Sequence, residues 1–159
     1  MKKQEEKTNV MRLFDGAGIG YTGYCYLESG ALSGTDVAAA LGKNPDMLFK
    51  TLVTVGASGK NYVFVIPSSC ELSLKKAASV SGEKNIEMIK SKELLPLTGY
   101  IHGGCSPVGM KKSFPTFVDE TAQLWERIIF SGGKIGFMVE TEPDSLKKMI
   151  SFEYADLTV

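Results

Sequence analysis

Apolar and polar residues fall into short runs along this chain, and their period changes from one run to the next. In "LFKTLVTV" and "NYVFVIP" the apolar positions are β-branched or aromatic, and "GASGK" between them supplies a turn, so a hairpin is predicted between Leu48 and Ile66. "YTGYCYL" reads as an earlier strand rich in aromatic residues. "PTFVDE" is a later strand, and "RIIFSGGKIGFMVE" predicts a second hairpin turning at Ser131 to Gly133. "NIEMI" is a short strand and "FEYADL" finishes the chain.

Helical signals lie between these runs. An N-terminal helix beginning near Gln4 is expected to end in "LFDGAG", where Gly16 and Gly18 act as terminators. "SGTDVAAALG" combines a cap, an alanine-rich run and a closing Gly42, which predicts a helix over about Thr35 to Leu41. "ELSLKKAASVSG" predicts a helix after a Ser73 cap, "SKELLPL" a short one limited by Pro96, and "EPDSLKKMI" a late one opened by Pro143. Hairpins predominate, with helices inserted without a regular strand-helix-strand rhythm. That pattern predicts an α+β protein with a mixed, mostly antiparallel sheet and flanking helices.

Composition narrows this picture. At 159 residues the chain suits one domain, taken as residues 1–159. Apolar residues make up 43% and charged residues 23%, so nothing points to disorder, a fibre or a membrane protein. "MKKQEEKTNVMRLF" lacks the apolar core of a signal peptide, and no stretch approaches the roughly 18 apolar residues of a spanning helix. A cytoplasmic protein with no membrane partner is expected. Cys25, Cys70 and Cys105 suit a reducing compartment, and free thiols are expected. Lys plus Arg number 18, as do Asp plus Glu, so whole-molecule charge argues for no nucleic acid and DNA is not an expected partner. Any RNA contact must come from local patches: Lys75 and Lys76, Lys111 and Lys112, or Lys147 and Lys148.

The candidate chemistry concentrates in "GYIHGGCSPVGMKK", residues 99 to 112, which holds four glycines and the single histidine, His102. A Cys-His or Ser-His machine would need His102 as base, but Cys105 lies three residues away in the same tight loop. A zinc site needs three or four ligands, whereas His102 and Cys105 supply two and no CxxC spacing appears. Neither GxxxxGK[ST] nor GxGxxG occurs at a strand-to-helix junction. No metal or cofactor is therefore expected. A glycine-rich loop can instead turn backbone N–H groups towards one anion or developing oxyanion. The competing reading is a plain turn. Lys50, within the apolar run "LFKTLV", either serves a site or points to solvent.

"LGKNPDMLFKTLV", "GYIHGGCSPVGMKK" and "FSGGKIG", in this order and at these separations, resemble the YbaK/EbsC family of free-standing aminoacyl-tRNA deacylases, relatives of the editing insertion of prolyl-tRNA synthetase. The resemblance covers nearly the whole chain. It implies a barrel-like mixed sheet with flanking helices and a trans-editing carboxylic ester hydrolase acting on mischarged tRNA, typically Cys-tRNA(Pro). It also implies that the aminoacyl-tRNA acceptor end is bound, with prolyl-tRNA synthetase as a partner in a ternary complex. By the same resemblance the essential lysine falls on Lys50 and the substrate loop on Gly103, Gly104, Ser106, Pro107 and Gly109. The second glycine turn falls on Ser131, Gly132 and Gly133, and a tyrosine of the first strand on Tyr26. Gly103 and Gly104 would act with Lys50 at the reacting ester, and Lys111 and Lys112 would contact tRNA phosphates. Met138 stands where the family often has an aspartate and Ser33 where a bulkier residue is common, so both bear on amino-acid specificity. An Ala-tRNA(Pro) deacylase and a non-catalytic module binding a tRNA end or small metabolite remain alternatives.

Overall fold

The computed structural model describes residues 6–31 and 33–159. The expected helix start near Gln4 lies outside them. The first helix, α1, spans Asn9–Ala17: Thr8 Oγ1 accepts from Met11 N at 3.2 Å, and Gly18 closes the helix in the left-handed region. Gly16 lies inside the helix; only Gly18 terminates it. Strand β1 (Thr22–Cys25) follows, then α2 (Gly34–Leu41), capped by the Ser33 hydroxyl and closed by Gly42. The predicted hairpin forms from β2 (Phe49–Gly56) and β3 (Asn61–Pro67). Helix α3 (Leu74–Ser81) begins after its Ser73 cap, and β4 (Ile86–Met88) is the short strand of "NIEMI".

Helix α4 spans Ser91–Thr98 and does not stop at Pro96. Proline removes one N–H, but the last turn keeps a 2.8 Å bond from Gly99 N to Leu95 O and a 2.7 Å bond from the Thr98 hydroxyl to Leu94 O. After the glycine loop come β5 (Thr116–Asp119), β6 (Ile128–Ser131), β7 (Phe137–Thr141), α5 (Pro143–Met149) and β8 (Glu153–Ala155). The second hairpin is β6–β7, with Ser131 opposite Met138.

Two sheets result, ordered β1-β7-β6 and β4-β2-β3-β5-β8. Only the β3–β5 and β5–β8 pairings are parallel, in keeping with the mixed, mostly antiparallel α+β reading. The described strands close no barrel. Among the described residues a single parallel bridge, between Leu48 and Ile129, links the two sheets through their backbones. The reason is local to β2. Strand β4 is three residues long and pairs at Thr54 to Gly56, with one further bond from Ile89 N to Val53 O at 3.3 Å, so from Phe49 to Leu52 no ladder covers the β2 edge opposite β3.

The main core fills the space between the sheets, where Val53, Val63 and Val65 meet Phe130, Phe137 and Val139, and α1 adds Val10 and Phe14. Strand β3 is buried on both faces: Phe64 and Ile66 point away from that core towards Ala77 of α3. A continuous apolar run such as "NYVFVIP" is what a central strand requires. Helix α2 covers the outer face of the small sheet through Val37 and Ala38 against Ile129 and Met138. Just past its C-terminus, Lys43 Nζ lies 3.3 Å from the buried Glu140 carboxylate, which also accepts from the Tyr24 hydroxyl at 2.6 Å. Burial and that bond together raise the Tyr24 pKa. The clamp pairs a charge that would be costly to bury alone, and it anchors one end of α2 while the other end faces the gap between the sheets.

Candidate active site

The uncovered edge of β2 opens onto a cavity of about 610 Å³. Lys50 lines it from β2, Gly103 and Cys105 from the glycine loop, and Ser131 from the second glycine turn. Tyr26, one residue past β1, is 8% exposed and also lines it, and its N–H donates to Gly136 O at 2.8 Å. Ser33 and Gly34 form the α2 side, with Met138 beside them. A further side, Met88, Lys90, Ser91 and Leu94, comes from the β4–α4 junction, which sequence reasoning did not single out. Its signal was faint: two lysines, Lys90 and Lys92, at the start of a helix.

The electrostatics are one-sided. Lys50 and Lys90 line the cavity with His102, and no aspartate or glutamate among the described residues lines it. Lys50 is half-buried, and neither lysine ammonium has a hydrogen bond or ion pair among the described residues. Next to Lys50, the Thr51 hydroxyl oxygen is buried without a hydrogen-bond partner among the described residues. An unsatisfied buried polar atom costs on the order of 1–3 kcal/mol.

The two glycine turns pack directly on one another. A Cβ at Gly104 would lie 3.1 Å from Ile135 N and 3.3 Å from Lys134 Cα, so only glycine permits this approach of backbone to backbone. Gly103 and Gly133 adopt φ of 89° and 92°, the left-handed region that disfavours side chains. Tyr100 stands between the turns: its buried hydroxyl donates to Val108 O, and a Cβ at Gly109 or Gly133 would strike its ring or hydroxyl. The Ser106 hydroxyl accepts from Val108 N at 3.2 Å and that of Ser131 from Gly133 N at 3.0 Å, bonds that fix the loop shapes. Pro107 and Gly132 are buried. Gly104, Ser106, Pro107, Gly109, Gly132 and Gly133 thus build the loops without lining the cavity.

The amides divide in a similar way. Gly104 N–H is committed to Ile101 O at 3.0 Å, whereas Gly103 and Cys105 N–H have no acceptor among the described residues. The Cys105 side chain makes no hydrogen bond with His102, and burial pushes its thiol up to about 12. Such a thiol is not a nucleophile at neutral pH. Among the described residues no group of three His, Cys, Asp or Glu side chains could hold a metal.

Lys111 and Lys112 are exposed and do not line the cavity. The Lys111 side chain runs beside Gly99, at the opposite end of α4 from Ser91, about 12 Å away along the helix axis. In the other basic pairs one member is engaged: Lys76 binds Asp156 and Thr158 O, and Lys147 lies over the rings of Phe152 and Tyr154. No helix among the described residues is long and apolar enough to cross a membrane.

A sequence model of the aminoacyl-tRNA editing domain matches residues 28–149. The chain is 44% identical over 158 residues to an Enterococcus faecalis protein named "Putative Cys-tRNA(Pro)/Cys-tRNA(Cys) deacylase EbsC", covering 99% of this chain and 96% of that one. Its fold is similar to the crystal structure of "a putative trans-editing enzyme for prolyl tRNA synthetase", with a TM-score of 0.85 at 24% identity, covering 97% and 99% of the two chains. It is also similar to the crystal structure of the hypothetical protein APE2540, with a TM-score of 0.87 at 22% identity, covering 96% and 100%.

Proposed function

The chain belongs to the aminoacyl-tRNA editing domain family, and from that premise we propose that it hydrolyses the ester of mischarged aminoacyl-tRNA, with Cys-tRNA(Pro) as the substrate. One observation carries the reading beyond family membership: Lys50, unpaired among the described residues, and Gly103 and Cys105, whose amides are unengaged there, line one cavity with no carboxylate among the described residues. Lys50 orients the ester, and the two amides receive the carbonyl oxygen as it gains charge. Their role needs no ionised side chain.

No enzyme group in the cavity serves as nucleophile with a base beside it. The thiol of the substrate's own cysteine supplies the attack: its sulfur bonds to the ester carbon, the bond to the ribose oxygen breaks, and that oxygen takes up the proton. The resulting thiolactone is then opened by water. The ring is strained, but a tethered nucleophile starts with a large effective concentration, ~10⁵ M or more in favourable cases. Prolyl-tRNA synthetase is the synthetase whose error this activity would correct.

The test is release of free amino acid from cysteinyl-, alanyl- and seryl-tRNA by wild type and Lys50→Ala. Cysteinyl-tRNA should be cleaved fastest and seryl-tRNA poorly, since a hydroxyl is a far weaker nucleophile without a base. Lys50→Ala should lose about 100-fold in rate at unchanged melting temperature. Equal rates on cysteinyl- and seryl-tRNA would exclude the substrate-assisted route. A Lys50 variant within twofold of wild type would remove the lysine from the mechanism.

A further inference from the structure

The cavity carries more positive charge than an ester requires. An aminoacyl ester is neutral and its amino group is itself cationic, yet two lysines, unpaired among the described residues, line the cavity and no carboxylate among those residues does. A ligand that brings an anion would meet both ammoniums. If the cavity takes an aminoacyl-tRNA end, as proposed above, that anion is the phosphodiester one ribose away from the ester. Lys50 is half-buried on β2, whereas Lys90 is exposed and Met88 beside it is 48% exposed, so the β4–α4 side, like exposed Ser33, His102 and Gly103, lies on the cavity's open rim. The order from inside to outside matches ester first and phosphodiester second.

Helix stability does not account for Lys90. It occupies the N-cap of α4, with Lys92 in the first turn, at the helix end where the dipole favours carboxylates over cations. The cap itself is satisfied by the Glu93 carboxylate, which accepts from Lys90 N at 3.0 Å and leaves the ammonium unpaired. We infer that Lys90 is a substrate-binding residue that takes the last phosphodiester of the acceptor end at the mouth of the cavity, while Lys50 serves the ester within.

Binding tests this apart from turnover. The probes are the trinucleotide CpCpA and the same trinucleotide with an uncharged methylphosphonate at its last linkage, titrated by NMR into wild type, Lys90→Ala, Lys90→Arg and Lys50→Ala. Wild type, Lys90→Arg and Lys50→Ala should prefer the charged probe by about fivefold, as an exposed charge contact allows. Lys90→Ala should bind both alike, and its salt slope for CpCpA should flatten by about 0.7. Wild type that fails to discriminate, or Lys90→Ala that still does, overturns the assignment. So does a preference that disappears in Lys50→Ala. If wild type shows the Lys90-dependent preference but releases no amino acid from charged tRNA, the phosphodiester subsite stands and the deacylase reading falls.

Discussion

Removing the Cys105 sulfur distinguishes an enzyme thiol from a substrate thiol. Burial pushes Cys105 up to about 12, and a thiol titrating there is ionised to about 3 parts in 100,000 at pH 7.5. An ordinary thiol near 8.5 is about 9% ionised at that pH, so Cys105 presents about 3,000-fold less of the reactive form. His102, the single histidine, makes no hydrogen bond to it and cannot offset the deficit as a base. Cys105→Ala and Cys105→Ser should therefore keep deacylation of cysteinyl-tRNA within about threefold of wild type, a barrier change of less than ~1 kcal/mol. Melting temperature is followed in parallel, because truncating a partly buried side chain costs some packing. Alkylation gives an independent reading: intact protein at pH 7.5 should label Cys105 with iodoacetamide far more slowly than denatured protein does, with the rate rising tenfold per pH unit up to about 12. A folded Cys105→Ala variant reduced 100-fold or more in rate, or fast labelling at neutral pH, would refute the argument.

Two further outcomes follow from the loops and the basic surface. Gly104→Ala must separate the glycine turns by a few tenths of an ångström against backbone atoms of Lys134 and Ile135, and kcat/KM should fall about tenfold or more, whereas Gly16→Ala, with nothing within 4 Å of the added Cβ, should not change it; equal kinetics for the two would show that the close approach is immaterial. Changing Lys111 and Lys112 together to glutamate should weaken tRNA binding and flatten its salt dependence by about 0.7–0.9 for each phosphate no longer neutralised, and an unchanged slope would return both to ordinary solvated surface.

Local chemistry was legible in the chain. Ser33 with Gly42 and Ser73 with Gly82 bound two helices because a cap hydroxyl and a left-handed glycine act within one turn. The runs at 49–56 and 61–67 pair as predicted because the hairpin is closed by a turn a few residues long. Three glycine-bearing motifs marked the family, and Lys50 and Gly103 among their residues line one cavity. Pro96 misled, since the bonds that carry α4 past it involve Thr98 and Gly99.

What the tertiary structure decided was the cavity itself. It exists because β4 and the residue after it cover only Val53 to Gly56 of β2, which leaves Phe49 to Leu52 open on that edge between two sheets that, among the described residues, one bridge joins. Strand length in one element and sheet separation in two others are non-local quantities, and no motif in the chain states them. The same holds for the absence of carboxylates from the lining among the described residues, the contact of Gly104 with Ile135, and Tyr100 standing between two turns more than twenty residues apart. Lys90, Lys111 and Lys112 are alike as residues; they differ in position because α4 starts at the cavity rim, where Lys90 lines it, and carries its other end away from it.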